Sequence, residues 1–83
     1  VDFHATWCGP CQAQAPILKD LAPETKGKAR IIKIDVDKNQ ALAQQYQVRG
    51  VPTLVLFKGG EVMWRHSGVA SKQQLLDVMR QYM

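Results

Sequence analysis

Two cysteines among 83 residues are too few to staple a small disulfide scaffold. No apolar run approaches the roughly 20 residues that a membrane helix requires, so no membrane partner is expected. Aromatic residues make up 7% of the chain, and none interleaves with its densest basic stretch, Lys26-Gly27-Lys28-Ala29-Arg30. That stretch reads as a solvated loop, and the net charge of +4 does not mark a nucleic-acid surface. Histidine is scarce as well. A structural zinc site generally takes four ligands, and only His4 and His66 accompany the two cysteines. His66 is remote in sequence and His4 precedes the cysteines on a strand, so no metal is expected. Repeats, low-complexity segments and internal linkers are lacking, so residues 1–83 read as a single domain. A hydrophobic fraction of 46% suffices for a packed core.

The apolar pattern alternates between strand and helix. Residues 1–5 read as a strand running into the cysteines. A helical pattern follows from about Cys8 to Ala22, with Ile17, Leu18 and Leu21 at helical spacing. Pro10 suits its first turn, Pro16 predicts a kink, and Pro23 with Gly27 is expected to close it. Ile31 to Val36 is a β-branched strand. Asn39 is expected to cap a short helix with Leu42, Ala43 and Tyr46 on one face. Thr53 to Phe57 is apolar enough to be covered on both faces. Gly59-Gly60 is a two-residue hairpin signal, and Val62 to His66 makes the return strand. Ser71 and Gln74 form a capping box that opens a last helix with Leu75, Leu76, Met79 and Tyr82 inward. The order β-α-β-α-β-β-α predicts an α/β fold. Its right-handed crossover gives a parallel strand pair, and the hairpin adds antiparallel strands, so a mixed central sheet with helices on both faces is expected.

The chemistry concentrates in Trp7-Cys8-Gly9-Pro10-Cys11. A cysteine at a helix start sits near unsatisfied N–H groups and the positive end of the helix dipole. Both favour the thiolate, which is the nucleophile. The second sulfur lies three residues on and can bridge to the first, with Gly9 and Pro10 shaping the turn between them. Cys8 is therefore expected to be the attacking, more exposed thiol and Cys11 the resolving, more buried one. A purely structural disulfide closing so short a loop would contribute little stability, and Cys-x-x-Cys beside a strand–helix–strand pattern points to redox work.

Taken with Val1-Asp2-Phe3, Ala5, Ala15-Pro16-Ile17-Leu18, Asp35, Asp37, Arg49-Gly50-Val51-Pro52-Thr53, Phe57-Lys58-Gly59-Gly60-Glu61 and Gly68, the motif resembles the thioredoxin family along the whole chain. The resemblance implies the thioredoxin fold and a thiol–disulfide oxidoreductase that reduces disulfides in partner proteins. It implies that Asp2 is a buried acid taking the proton of Cys11 and that Lys33 is its charge partner. It further implies a cis Val51–Pro52 bond facing the cysteines, and an apolar docking rim of Trp7, Gly9, Pro10, Val36, Val51, Gly68 and Val69. From the residues alone, Asp2 between Val1 and Phe3 reads as a buried strand acid, with a solvated strand-end aspartate as the lesser alternative, and Lys33 could equally be a solvated strand lysine. No cofactor is expected beyond the redox-active Cys8–Cys11 disulfide. The partners implied are disulfide-containing proteins and a flavin- and NADPH-dependent reductase, with the chain a monomer in the cytoplasm. A periplasmic or secreted location is the alternative, because the chain starts inside a strand and is expected to continue upstream, where family members carry another strand and helix. His4 departs from the family, which commonly has a large aromatic residue there. Two rivals remain: a membrane-tethered thiol reductase of the same superfamily, and a non-catalytic module using only the docking groove.

Overall fold

The computed structural model describes residues 1–82. Seven elements follow one another: β1 (Asp2–His4), α1 (Gly9–Thr25), β2 (Lys33–Asp35), α2 (Gln40–Gln45), β3 (Thr53–Lys58), β4 (Glu61–Ser67) and α3 (Lys72–Tyr82). The strands form one sheet in the order β2-β1-β3-β4. β1 pairs with β2 in parallel, whereas β1 with β3 and β3 with β4 are antiparallel. The mixed α/β architecture expected from the pattern is therefore present.

Alternation along β1 and β3 sorts the core onto two faces. Leu54 faces α1 and α3 and packs with Leu18, Leu21, Ala70, Leu75, Leu76 and Met79. On the opposite face Phe3 meets Tyr46, just after α2, at 6.1 Å between ring centroids, and Tyr46 meets Phe57 edge-on at 5.3 Å. Helices thus cover both sides of the sheet.

Three local expectations need correction. First, Pro23 does not close α1, which runs on to Thr25. A proline near a helix end loses a single backbone bond, and the buried Thr25 hydroxyl donates to the carbonyls of Leu21 and Ala22 at 3.5 and 3.3 Å. The turn that follows contains Gly27 at φ +85°, a conformation glycine adopts without a steric penalty. Second, Ile31 and Ile32 lie outside β2. The partner strand β1 has three residues, and pairing beyond them reduces to single bonds, Asp2 N–H to Ile32 O at 2.8 Å and Val36 N–H to His4 O at 2.9 Å. Third, Asn39 precedes α2 but makes no side-chain cap. Its amide donates instead to Asp35 O at 2.9 Å.

Two other expectations hold. Gly59 and Gly60, at φ +60° and +82°, turn the β3–β4 hairpin. Ser71 Oγ accepts from the N–H of Gln74 at 3.1 Å and caps α3.

Candidate active site

The end of β1 delivers the chain directly into the start of α1, and the two cysteines lie at that junction. Cys8 is the residue before the first helical turn, in an extended conformation, and its Sγ accepts the N–H of Cys11 at 3.1 Å. No acidic residue occupies the first turn of α1, so nothing there neutralises the positive end of the dipole. Cys8 and Cys11 form a disulfide with Cα atoms 5.2 Å apart.

The expected difference in exposure is not found. Cys8 is 3% and Cys11 6% exposed. Both pack with Ala5, and the half-buried Val36 and Val51 close over this cluster. What distinguishes the sulfurs in this oxidised state is their electrostatic setting, because Cys8 Sγ receives the helix N–H.

The Val51–Pro52 bond is cis, as the resemblance implied. Its loop brings Val51 O to within 3.5 Å of Cys8 Sγ. A disulfide sulfur carries no proton, so in this state the approach is a contact, and it becomes a hydrogen bond only when Cys8 is a thiol. Gly68 N–H donates to Pro52 O at 2.8 Å, which joins the loop before α3 to the same spot. Around the sulfurs, Trp7 is 70% and Val69 42% exposed, and Gly9 and Pro10 are exposed as well. The Trp7 ring is held by a hydrogen bond from Nε1 to Asp37 Oδ2 at 2.7 Å.

Asp2 is buried, 3% exposed, and its Oδ1 has no hydrogen-bond partner in the protein. Burial pushes its carboxyl above the ordinary value, against the opposing charges of His4, Lys33 and the Val1 amino group. Asp2 and Cys11 line the same cavity of about 160 Å³, together with His4, Gln12 and Lys33. A space of that size, lined in part by polar residues, has room for water. Lys33 lies directly across from Asp2 in the β1–β2 register and is itself exposed.

One residue of the neighbourhood escaped the sequence reading. Gln14, one turn beyond Cys11, is completely buried. Its amide donates to Ala70 O at 3.1 Å and accepts from Ala70 N–H at 2.8 Å, which clamps the Gly68–Ala70 loop to α1. The available signal was a glutamine three positions after Cys11 and four before Leu18, on the inward stripe of the helix.

Two buried sulfurs joined at a helix N-terminus, with an unpartnered acid behind them, define a dithiol–disulfide exchange centre. The comparisons agree: the family model described as Thioredoxin matches residues 1–81, and the chain belongs to the thioredoxin family. It is 48% identical over 82 residues to the thioredoxin of Haemophilus influenzae, covering 99% of this chain and 77% of that one. Among solved structures, a mutant thioredoxin of Halobacterium salinarum superposes with a TM-score of 0.89 at 49% identity, covering 98% of this chain and 70% of that one. The germline thioredoxin Deadhead of Drosophila melanogaster gives a TM-score of 0.89 at 38% identity, covering 99% and 77%. The protein is a thiol–disulfide oxidoreductase acting by dithiol exchange through Cys8 and Cys11, and disulfide-containing proteins are its substrate class. Among the described residues no helix is long and apolar enough to cross a membrane.

Proposed function

We propose that the chain works in the reducing direction, with Cys8 as nucleophile and Cys11 as resolving thiol. The observation that carries this reading is the N–H of Cys11 directed at Cys8 Sγ at the unneutralised start of α1. The Cys8 thiolate attacks one sulfur of a partner disulfide, forming a mixed disulfide and releasing the other sulfur as a thiolate. Cys11 passes its proton to Asp2 across the shared cavity. The Cys11 thiolate then attacks Cys8 Sγ, the Cys8–Cys11 bond forms, and the partner leaves with both sulfurs reduced. Two electrons have moved from the dithiol to the partner.

Lys33, across from Asp2, favours the carboxylate that accepts the proton. Trp7, Val36, Val51, Gly68 and Val69 form the docking rim. Pro52 with the Val51 backbone presents an edge to an extended substrate segment by strand addition. Gly9 and Pro10 shape the turn between the sulfurs, and Gly-Pro at that place resembles the reducing members of the superfamily. The oxidised chain is recharged by a flavin- and NADPH-dependent reductase. It acts as a monomer, since a second copy on the rim would block the sulfurs, and its compartment is the cytoplasm, where thiols are kept reduced.

The test is reduction of insulin by dithiothreitol. The chain should accelerate it and Cys8→Ser should not. Equal rates with and without the chain would leave only a binding module.

A further inference from the structure

His4 stands beside the buried acid, and the steps above give it no part. It follows Asp2 by two positions on β1, so both side chains leave the same face of the sheet. Both line the cavity that Cys11 also lines. Asp2 is 3% exposed, whereas His4 is half-buried, so of the two residues on this face His4 is the more open to solvent. A proton placed on Asp2 has to leave, and a carboxyl only 3% exposed offers little direct contact with bulk water.

The groups facing His4 narrow the route. From β1 there is Asp2, and beyond it the Val1 amino group. From β2 there are Lys33 and Asp35, the latter directly across from His4 in the register. From α1 there are Cys11 and the neutral Gln12. Asp35 Oδ1 is engaged by the backbone N–H groups of Asp37 and Lys38 at 2.8 and 3.3 Å. A lysine, ordinarily near pKa 10.4, does not accept protons at neutral pH. Histidine, ordinarily near 6.5, both accepts and donates there.

We propose that His4 relays the proton of the resolving step from Asp2 to solvent. The inference rests on the reading that Asp2 takes the proton of Cys11. As Asp2 takes the proton of Cys11, neutral His4 takes a proton from Asp2 at one ring nitrogen, so that the Cys11 thiolate persists to attack Cys8 and the partner thiolate leaves. It releases a proton to water from the other, and Asp2 returns to the carboxylate. The charged imidazole also assists: burial raises the Asp2 pKa, and the charge of His4 opposes that rise more than the charge of Lys33 does.

The test uses a dithionitrobenzoate reagent, which releases one coloured thiolate when the mixed disulfide forms on Cys8 and a second when Cys11 resolves it. In His4→Phe the first phase should be unchanged within about twofold. The second should slow roughly ten- to a hundredfold, bounded by what a positioned proton-transfer group contributes, and its pH profile should change shape. The Asp2 carboxyl, followed by carbon-13 NMR in the oxidised protein, should titrate higher than in the parent. His4→Gln, which keeps polarity without titrating, should show the same loss and replaces His4→Phe if that variant does not fold. Unchanged second phases and pH profiles in the folded variant would overturn the relay. Asp2→Asn, run in parallel, separates the two ideas. Slowing in Asp2→Asn alone removes His4 and keeps the buried acid, and slowing in neither removes both.

Discussion

Replacing Asp2 with Asn removes a charge from a carboxyl whose Oδ1 is buried without a protein partner. An unsatisfied buried polar group costs about 1–3 kcal/mol, and a charged one more. The amide still carries the neutral penalty, so the net gain at neutral pH is about 1–3 kcal/mol. In a domain of this size each kcal/mol moves the melting temperature by roughly 4–8 °C, so the variant should melt roughly 4–24 °C above the parent. The sign depends on pH. Folding raises this pKa, so the folded state holds the Asp2 proton more tightly than the unfolded chain. The stability of the parent is therefore fully present below the ordinary value of 3.8 and is lost as pH rises through the raised one. The gain in Asp2→Asn should shrink as pH falls and vanish below that ordinary value. In the same variant the resolving phase should slow on the order of 10²–10⁴-fold, the usual contribution of a positioned base, with the forming phase unaltered. Melting curves by circular dichroism across pH, with the two-phase thionitrobenzoate assay, read both effects. Equal melting temperatures at pH 7 and an unchanged second phase would show Asp2 to be solvated and idle.

Further substitutions probe the surroundings. Lys33→Met removes a charge that opposes the raised Asp2 pKa, so the Asp2 carboxyl should titrate still higher by carbon-13 NMR; an unmoved curve would place the ammonium away from the acid. Gln14→Leu leaves the N–H and carbonyl of Ala70 without partners, and urea unfolding should show a loss of about 2–4 kcal/mol; a variant as stable as the parent would mean the clamp contributes nothing. Trp7 is 70% exposed, so Trp7→Ala should cost less than about 1 kcal/mol in stability. It should raise KM for protein substrates while leaving reaction with a small disulfide unchanged; an equal effect on both would take Trp7 out of the docking rim.

Much of this molecule was legible because its signals are local. Gly59-Gly60 specifies its own turn, Ser71 caps its own helix, and Cys8-Gly9-Pro10-Cys11 announces a helix-start dithiol from spacing alone. What was not legible depends on the partner of each group. Pro23 reads as a stop, yet the Thr25 hydroxyl covers the carbonyls at the end of α1. Asn39 reads as a cap, but the turn at Asp35 captures its amide. The relative exposure of the cysteines depends on the Val51 loop, 40 residues and more away in sequence, which folds over Cys8. The role of Gln14 emerges only when Ala70 is placed opposite it. Asp2 as a strand acid was visible; that its Oδ1 lacks a protein partner and that it shares a cavity with Cys11 and His4 was not.

The most direct test of the central claim is which thiol reacts first. The fully reduced protein is treated briefly with iodoacetamide at neutral pH and mapped by mass spectrometry. Cys8 should carry the label well before Cys11, because the α1 terminus and the N–H of Cys11 stabilise its thiolate, and Cys11→Ser should hold partner proteins in a mixed disulfide on Cys8. Prior labelling of Cys11, with partners held by Cys8→Ser instead, would contradict the assignment of nucleophile and resolving thiol.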